Sequence, residues 1–329
     1  MTSNKIKTLQ VGNFSFVSQL NIIVGNKCTA RCDFCTNESS PKGGIHLAPE
    51  SCRQLVKQAK SLGFNRVGFS GGEPFLYREL LLELTEIAHK EALGFVIATN
   101  GYWGKDANEA HSLASHLYKR GLAKLQISYD IEHEKYVKKD AIYNVLNACA
   151  DIGIPVILYS AYYPGEKRIN DILDLSPYGN IEVNEGEVLR VGRAKDNLVK
   201  FVGNTKDISA IGFCPKLLQM TVNFDGEIYP CCSVGGFSSG ISVGNLAFNR
   251  LGDLSKNILE KTFISYLQNH DATWMAREIK VNTGVVCNSV CELCNVIHSD
   301  EDLLKKYGAI AEETMLETFL QNATGQPVA

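Results

Sequence analysis

A chain of 329 residues exceeds what one small core needs and leaves room for a barrel-sized domain plus a smaller unit or an elaborated end. Its 45% hydrophobic and 21% charged residues, with 28 Gly and 9 Pro, exclude a disordered, collagen-like or mucin-like chain. Thirty-three Lys and Arg against 36 Asp and Glu give a formal charge of -3, which removes any global electrostatic case for wrapping nucleic acid or adhering to anionic membrane.

No apolar run approaches the roughly 18 residues needed to span a bilayer, and the polar start from Met1 to Lys7 lacks the apolar stretch of a signal peptide. The expectation is a cytoplasmic protein with neither nucleic-acid nor membrane partners. An odd count of eleven cysteines in such a chain argues against a disulfide framework and points to metal ligation or catalysis.

After a polar arm over residues 1–19, residues 20–24 read as a short buried strand, closed by Gly25-Asn26-Lys27 in a loop that carries Cys28, Cys32 and Cys35. An amphipathic helix over 49–62 follows, then a strand over 66–70, a helix over 77–92, a strand over 95–99, a helix over 108–119, a strand over 124–129, a helical region over 134–151, and strands over 155–162 and 181–191. This alternation means βαβ units around a parallel sheet, and six of them suggest an incomplete barrel spanning 20–200. From 201 to 300 the text changes to strand-like pieces at 219–224 and 227–229, Gly-rich turns and six cysteines, the mark of a second domain. Residues 301–321 read as a docking helix and the end of the 301–329 segment as a loose tail. Cys52 and Cys149 lie in helical segments and read as small core residues.

Cys28-Thr-Ala-Arg-Cys32-Asp-Phe-Cys35 supplies three thiols on one loop and leaves a fourth ligand position open, where a structural zinc site would want four protein ligands. This loop resembles that of the radical S-adenosylmethionine (SAM) superfamily, and Gly71-Gly72-Glu73-Pro74, after the second strand, is similar to that family's GGEP motif. The resemblance implies an α/β fold, a partial (β/α)6 barrel, with a 4Fe-4S cluster on Cys28, Cys32 and Cys35 and SAM on its open iron. It also implies that Gly71, Gly72 and Glu73 meet the methionine end of SAM, Glu73 taking the ammonium, that Ser128 and Asn100 contact its ribose or carboxylate, and that Phe34 contacts adenine. Loops after successive parallel strands share the C-terminal mouth of a barrel, which independently brings the Cys28 and Gly71 loops, Thr99-Asn100-Gly101 and Ser128-Tyr129-Asp130 to one cavity. Asp130, Glu132, His133 and Glu134 form a polar cluster, read as a solvated helix start with a catalytic role as the alternative.

Cys214, followed by Gly226 and Cys231, resembles the opening of the SPASM and twitch extensions that hold auxiliary iron-sulfur clusters, although the longer cysteine run of a full SPASM domain is missing. The resemblance implies one auxiliary 4Fe-4S cluster on Cys214, Cys231, Cys291 and Cys294, with Cys287 as an alternative ligand; structural zinc suits the same thiols. Neighbouring side chains on extended backbone point to opposite faces, so Cys232 is left over, either an inert buried thiol or a donor of a hydrogen atom to a substrate radical. One auxiliary cluster beside a free cysteine is similar to epipeptide-type peptide epimerases. The implied activity is abstraction of a substrate hydrogen atom by a 5′-deoxyadenosyl radical and epimerisation of a residue in a ribosomally made peptide, with a flavodoxin or ferredoxin as electron donor. Oxidative maturases or dehydrogenases and aminoglycoside-type sugar epimerases are the alternatives, and a zinc-binding scaffold without enzyme activity is a third.

Overall fold

The computed structural model describes residues 8–11, 14–179, 181–196, 211–214, 218–231, 237, 239–250, 252, 257 and 261–324. Six strands, β3 (Gln19–Ile23), β4 (Arg66–Ser70), β5 (Gly94–Thr99), β6 (Leu122–Ser128), β7 (Val156–Tyr162) and β8 (Ile181–Glu187), lie side by side in chain order, every neighbouring pair parallel. This is the expected arrangement of a partial parallel barrel.

The helices that return the chain between strands explain why the sheet closes in this order. In α1 (Pro49–Ala59) the buried residues are Cys52, Leu55, Val56 and Ala59; in α2 (Arg78–Lys90), Leu81, Leu84, Thr85 and Ala88; in α3 (Ala107–Lys119), Ala110, Leu113, Ala114 and Leu117. Each set repeats the same i, i+3, i+4, i+7 stripe, which covers one face of the sheet. The strands beneath turn one fully buried row to a single face, Leu20, Ile22, Val67 and Ile97 having no exposed surface. Cys52 and Cys149 are core residues, as expected.

Three expectations change in detail. The region over 134–151 divides into α4 (Ile131–Glu134) and α5 (Lys139–Ile152), because the buried Tyr129 hydroxyl donates to the Val137 carbonyl and holds that backbone out of the helix. The last barrel strand stops at Glu187, where the chain turns, the Val191 amide donating to the Leu189 carbonyl. Within the arm over 1–19, β1 (Thr8–Val11) and β2 (Phe14–Val17) form an antiparallel hairpin. Between these strands the sequence carries Gly12-Asn13, a hairpin signal that a reading of overall polarity passes over.

The segment after the barrel contributes to the same sheet. Strand β9 (Thr221–Val222) pairs parallel with β3, then β10 (Glu227–Tyr229) and β11 (Gly244–Asn245) add antiparallel, so the order is β11-β10-β9-β3-β4-β5-β6-β7-β8. Among the described residues, four further helices, α6 (Ile169–Ile172) beside the barrel and α7 (Thr262–Asn269), α8 (Thr273–Thr283) and α9 (Val290–His298) beyond it, precede the terminal α10 (Glu301–Thr324), which packs on α7 and α9. No helix among the described residues is long and apolar enough to cross a membrane.

Ile22 sits at the join, in register with Phe69 on β4 and Val222 on β9. Ile22→Ala should therefore destabilise the protein by about 2–5 kcal/mol, measured by chemical denaturation. A loss below about 1 kcal/mol would mean that the two halves do not share this core.

Candidate active site

The three-cysteine loop leaves β3 and is bound back onto the strand ends by main-chain bonds: Cys28 amide to Ser40 carbonyl at 3.0 Å and Leu47 amide to Val24 carbonyl at 3.0 Å. The GGEP loop after β4 locks onto it, the Gly72 amide donating to the Gly25 carbonyl at 2.7 Å and the Glu73 amide to the Lys27 carbonyl at 2.8 Å. The approach is so close that a Cβ on Gly72 would lie 2.2 Å from the Lys27 oxygen, so only glycine fits.

Glu73 is fully buried and its carboxylate joins its own loop to the one after β5. It accepts from its own loop at the Phe75 amide (3.1 Å), from the Thr99 hydroxyl (2.9 and 3.0 Å) and from the Asn100 amide (2.8 Å). Asn100 in turn donates through Nδ2 to Thr29 Oγ1 at 2.9 Å and points at Cys28 Sγ at 3.7 Å. Burial pushes the Glu73 carboxyl up to about 7 in spite of these donors. The expected ammonium partner therefore stands just behind the cavity wall, while Gly71, Gly72, Asn100, Ser128 and Phe34 line the cavity itself.

That cavity, about 800 Å³, opens at the C-terminal ends of the strands and holds Cys28, Cys32 and Cys35 along one wall. Burial pushes the Cys28 thiol up to about 12, and the charges of Glu73, Cys35 and Cys32 add to the effect. A buried thiol that resists ionisation, with two further thiols on the same loop, is a donor set that gains from a cation.

The polar cluster at 130–134 is not a solvated helix start. Asp130 and Glu132 are 2% and 3% exposed. Asp130 caps α4 by accepting from the Glu132 and His133 amides, and its Oδ1 stands 2.8 Å from His133 Nδ1. Burial alone would lower the His133 pKa, but the Asp130 carboxylate and a hydrogen bond to Cys32 hold it well above the ordinary value. The ring lies 6.0 Å from that of Phe34.

From the far edge of the barrel, Arg193 reaches across to the Cys32 carbonyl and to the Ser39 carbonyl at 2.8 Å, and its amide donates to the Cys35 carbonyl. Gly192, with φ +55°, makes the reach possible: a Cβ there would lie 2.5 Å from Thr36 Cα. Arg193 and Glu292 are site residues for which local spacing carried no assignment, since Arg193 bonds Cys32 and Ser39 and Glu292 bonds Arg190, all distant in sequence. Glu292 accepts from the Arg190 amide at 2.7 Å and the Asn288 amide at 2.6 Å, bringing α9 to the cavity, which Asn288 and Glu292 line.

Cys291 and Cys294 lie on α9, whose N-terminus is capped by Ser289. Burial raises the Cys294 thiol well above its ordinary value, with charge on Cys231, Cys291 and Cys214 adding, so these four thiols neighbour one another. Cys287 is also pushed up to about 12 by burial, but the charges acting on it are those of Glu292 and Arg190 rather than of the quartet. Cys232 lies outside the described residues. Among the described residues, no group of three or more His, Cys, Asp or Glu is drawn together tightly enough to hold one metal ion.

The radical SAM superfamily pattern matches residues 22–175. The chain carries a radical SAM domain. It is 26% identical over 319 residues, 91% of this chain and 98% of the relative, to YydG of Bacillus subtilis (strain 168), described as a peptide biosynthesis protein. It is 31% identical over 140 residues to a GTP 3′,8-cyclase of Campylobacter jejuni (strain RM1221), spanning 40% of this chain and only 42% of that enzyme. In fold it is similar to anSMEcpe, solved with bound AdoMet and the Cp18Cys peptide, with a TM-score of 0.55, 15% identity and coverage of 90% of this chain and 99% of that one. The fold and the first cysteine loop are thus those of a radical SAM enzyme, which implies a 4Fe-4S cluster and SAM.

Glu73 titrates at about 7 in the fold against an ordinary 4.5, so between these values the unfolded chain ionises first. Its contribution is complete below about pH 4.5 and is lost as pH rises to about 7, up to about 3 kcal/mol. Urea unfolding of chelator-treated protein across this range should show the decline, and Glu73→Gln should flatten it; an identical pH profile in the variant would mean the carboxylate is ionised throughout.

Proposed function

We propose that this radical SAM enzyme epimerises a residue of a ribosomally made peptide, with Cys232 as hydrogen-atom donor. The observation that carries the reading is the end-to-end likeness to YydG, a peptide biosynthesis protein matched over 98% of its length. When bound, SAM and the cluster supply a 5′-deoxyadenosyl radical that removes a hydrogen atom from the substrate.

The chain's own residues bind, orient and exclude water. Cys28, Cys32 and Cys35 would hold the first cluster. Gly71 and Gly72 offer close backbone approach to SAM, Asn100 and Ser128 its polar contacts, and Phe34 an apolar wall beside His133. Arg193, bonded to two carbonyls of the cysteine loop, fixes that loop against the far side of the barrel.

An auxiliary 4Fe-4S cluster on Cys214, Cys231, Cys291 and Cys294, in a SPASM- or twitch-like unit over 201–300, is part of the same proposal. The charges of Cys231, Cys291 and Cys214 act on the buried Cys294 thiol, which supports a shared metal group on the four. Cys232 follows Cys231 directly and would deliver its hydrogen atom to the face opposite the abstraction. A flavodoxin or ferredoxin would provide the electron, and a cytoplasmic location agrees with that supply.

Anaerobic reconstitution should give roughly eight irons per chain, falling to about four in Cys28→Ala/Cys32→Ala/Cys35→Ala with SAM cleavage abolished; zinc in place of the second four irons would end the auxiliary-cluster reading. Cys232→Ala should still form 5′-deoxyadenosine yet give no inverted residue, and wild type in heavy water should add one deuterium at the altered carbon. A product lighter by two daltons would instead establish an oxidative enzyme.

A further inference from the structure

The last barrel strand has a neighbour on one side only. Among the described residues β8 pairs with β7 through seven consecutive residues, without a bulge, and with nothing on its other edge. The Val188 amide donates to the Tyr162 carbonyl. In a parallel ladder the main-chain groups of alternate residues face opposite neighbours, so even-numbered residues of this strand bond toward β7. Ile181, Val183 and Glu185 consequently turn their amides and carbonyls to the open side.

Natural sheets blunt such edges with Pro, charged side chains (Lys above all), bulges or a covering element. Ile-Glu-Val-Asn-Glu-Gly-Glu has neither Pro nor Lys, the charge of its Glu185 is taken up by Arg168, Val183 is 42% exposed, and nothing among the described residues stands within 4 Å of where a Gly186 Cβ would be. The edge also runs directly into the active-site cavity, which Asn184 and Gly186 line. A cavity of about 800 Å³ is the size of a drug-like ligand site. Shared with SAM and the cluster that its other residues would hold, it has room for little more than the reacting residue, and the rest of a longer peptide must lie outside it.

We propose that an extended segment of the peptide substrate, flanking the residue that enters the cavity, docks as an added strand on the open edge of β8. This rests on the reading of the substrate as a peptide. Main-chain bonds to Val183 and its odd-numbered neighbours set the register that delivers one residue to the cavity. The exposed Glu182 favours a basic side chain beside it.

The probe is a display library of random 12-residue peptides panned on the cluster- and SAM-loaded enzyme, with one enriched peptide resynthesised. Bound peptide should slow amide exchange across 181–187 at least tenfold. Val183→Pro removes one outward amide without breaking a bond to β7 and should weaken binding by roughly tenfold. N-methylating alternate amides of the peptide should do the same while leaving the protein untouched, which keeps the test valid if the proline variant fails to fold. An enriched peptide that leaves exchange at β8 unchanged and tolerates N-methylation overturns edge docking but not the peptide reading. Failure to enrich any peptide overturns both. Protection of 181–187 without peptide, in a protein of dimer mass, assigns the edge to a second copy and overturns the proposal.

Discussion

The cavity depends on one buried carboxylate. Glu73 has no exposed surface, and its oxygens are shared among the end of its own loop, the Thr99 hydroxyl and the Asn100 amide. Removing a charge from water is costly unless donors replace the solvent, and here they come from two different strand ends. The same arrangement passes onward: Thr99 Oγ1 receives the Trp103 indole N–H at 3.2 Å, and Asn100 reaches Thr29 and Cys28. The geometry of the first cysteine is thereby tied to the geometry of β5, although neither segment touches it by sequence proximity.

Around this centre the cysteine loop is held from two further directions. The Gly72 and Glu73 amides bind its first residues from β4. Arg193 binds its later carbonyls from beyond β8. A loop with backbone carbonyls and amides satisfied on both sides loses little further freedom when its thiols take up a metal group, so less of the binding free energy is spent on ordering. The second thiol set is organised differently, from three places in the chain: Cys214, Cys231 after the β9–β10 hairpin, and the Cys291 and Cys294 pair on α9.

The six parallel strands, their order and the cysteine and GGEP loops were legible because their signals are local: alternation of short apolar runs with 3.6-period stripes, and motifs whose members lie within eight residues. The proposed quartet Cys214, Cys231, Cys291 and Cys294 rests on resemblance and not on local spacing, since its members are up to eighty residues apart. What escaped depends on long-range packing. Asp130 and Glu132 look like a solvated helix start by residue type, yet the loops over them bury both. Helices α7 and α8 passed unremarked in a segment read for its cysteines and turns. The placement of β9 beside β3 rests on two residue pairs that no periodicity encodes.

That pairing has a consequence for the order in which the chain can fold. Asn21 and Thr221, in register across the two strands, are separated by 200 residues. While the chain emerges from the ribosome, β4 to β8 can add to β3 one after another, each after a short crossover, but the opposite side of β3 stays open until the hairpin is made. Contacts of such separation form late and slowly, and an open parallel edge is a site of mispairing in the interval. The first strand of the barrel, which leads straight into the cysteine loop, is therefore completed among the last, and the pocket reaches its final shape only when the chain beyond the barrel has been synthesised.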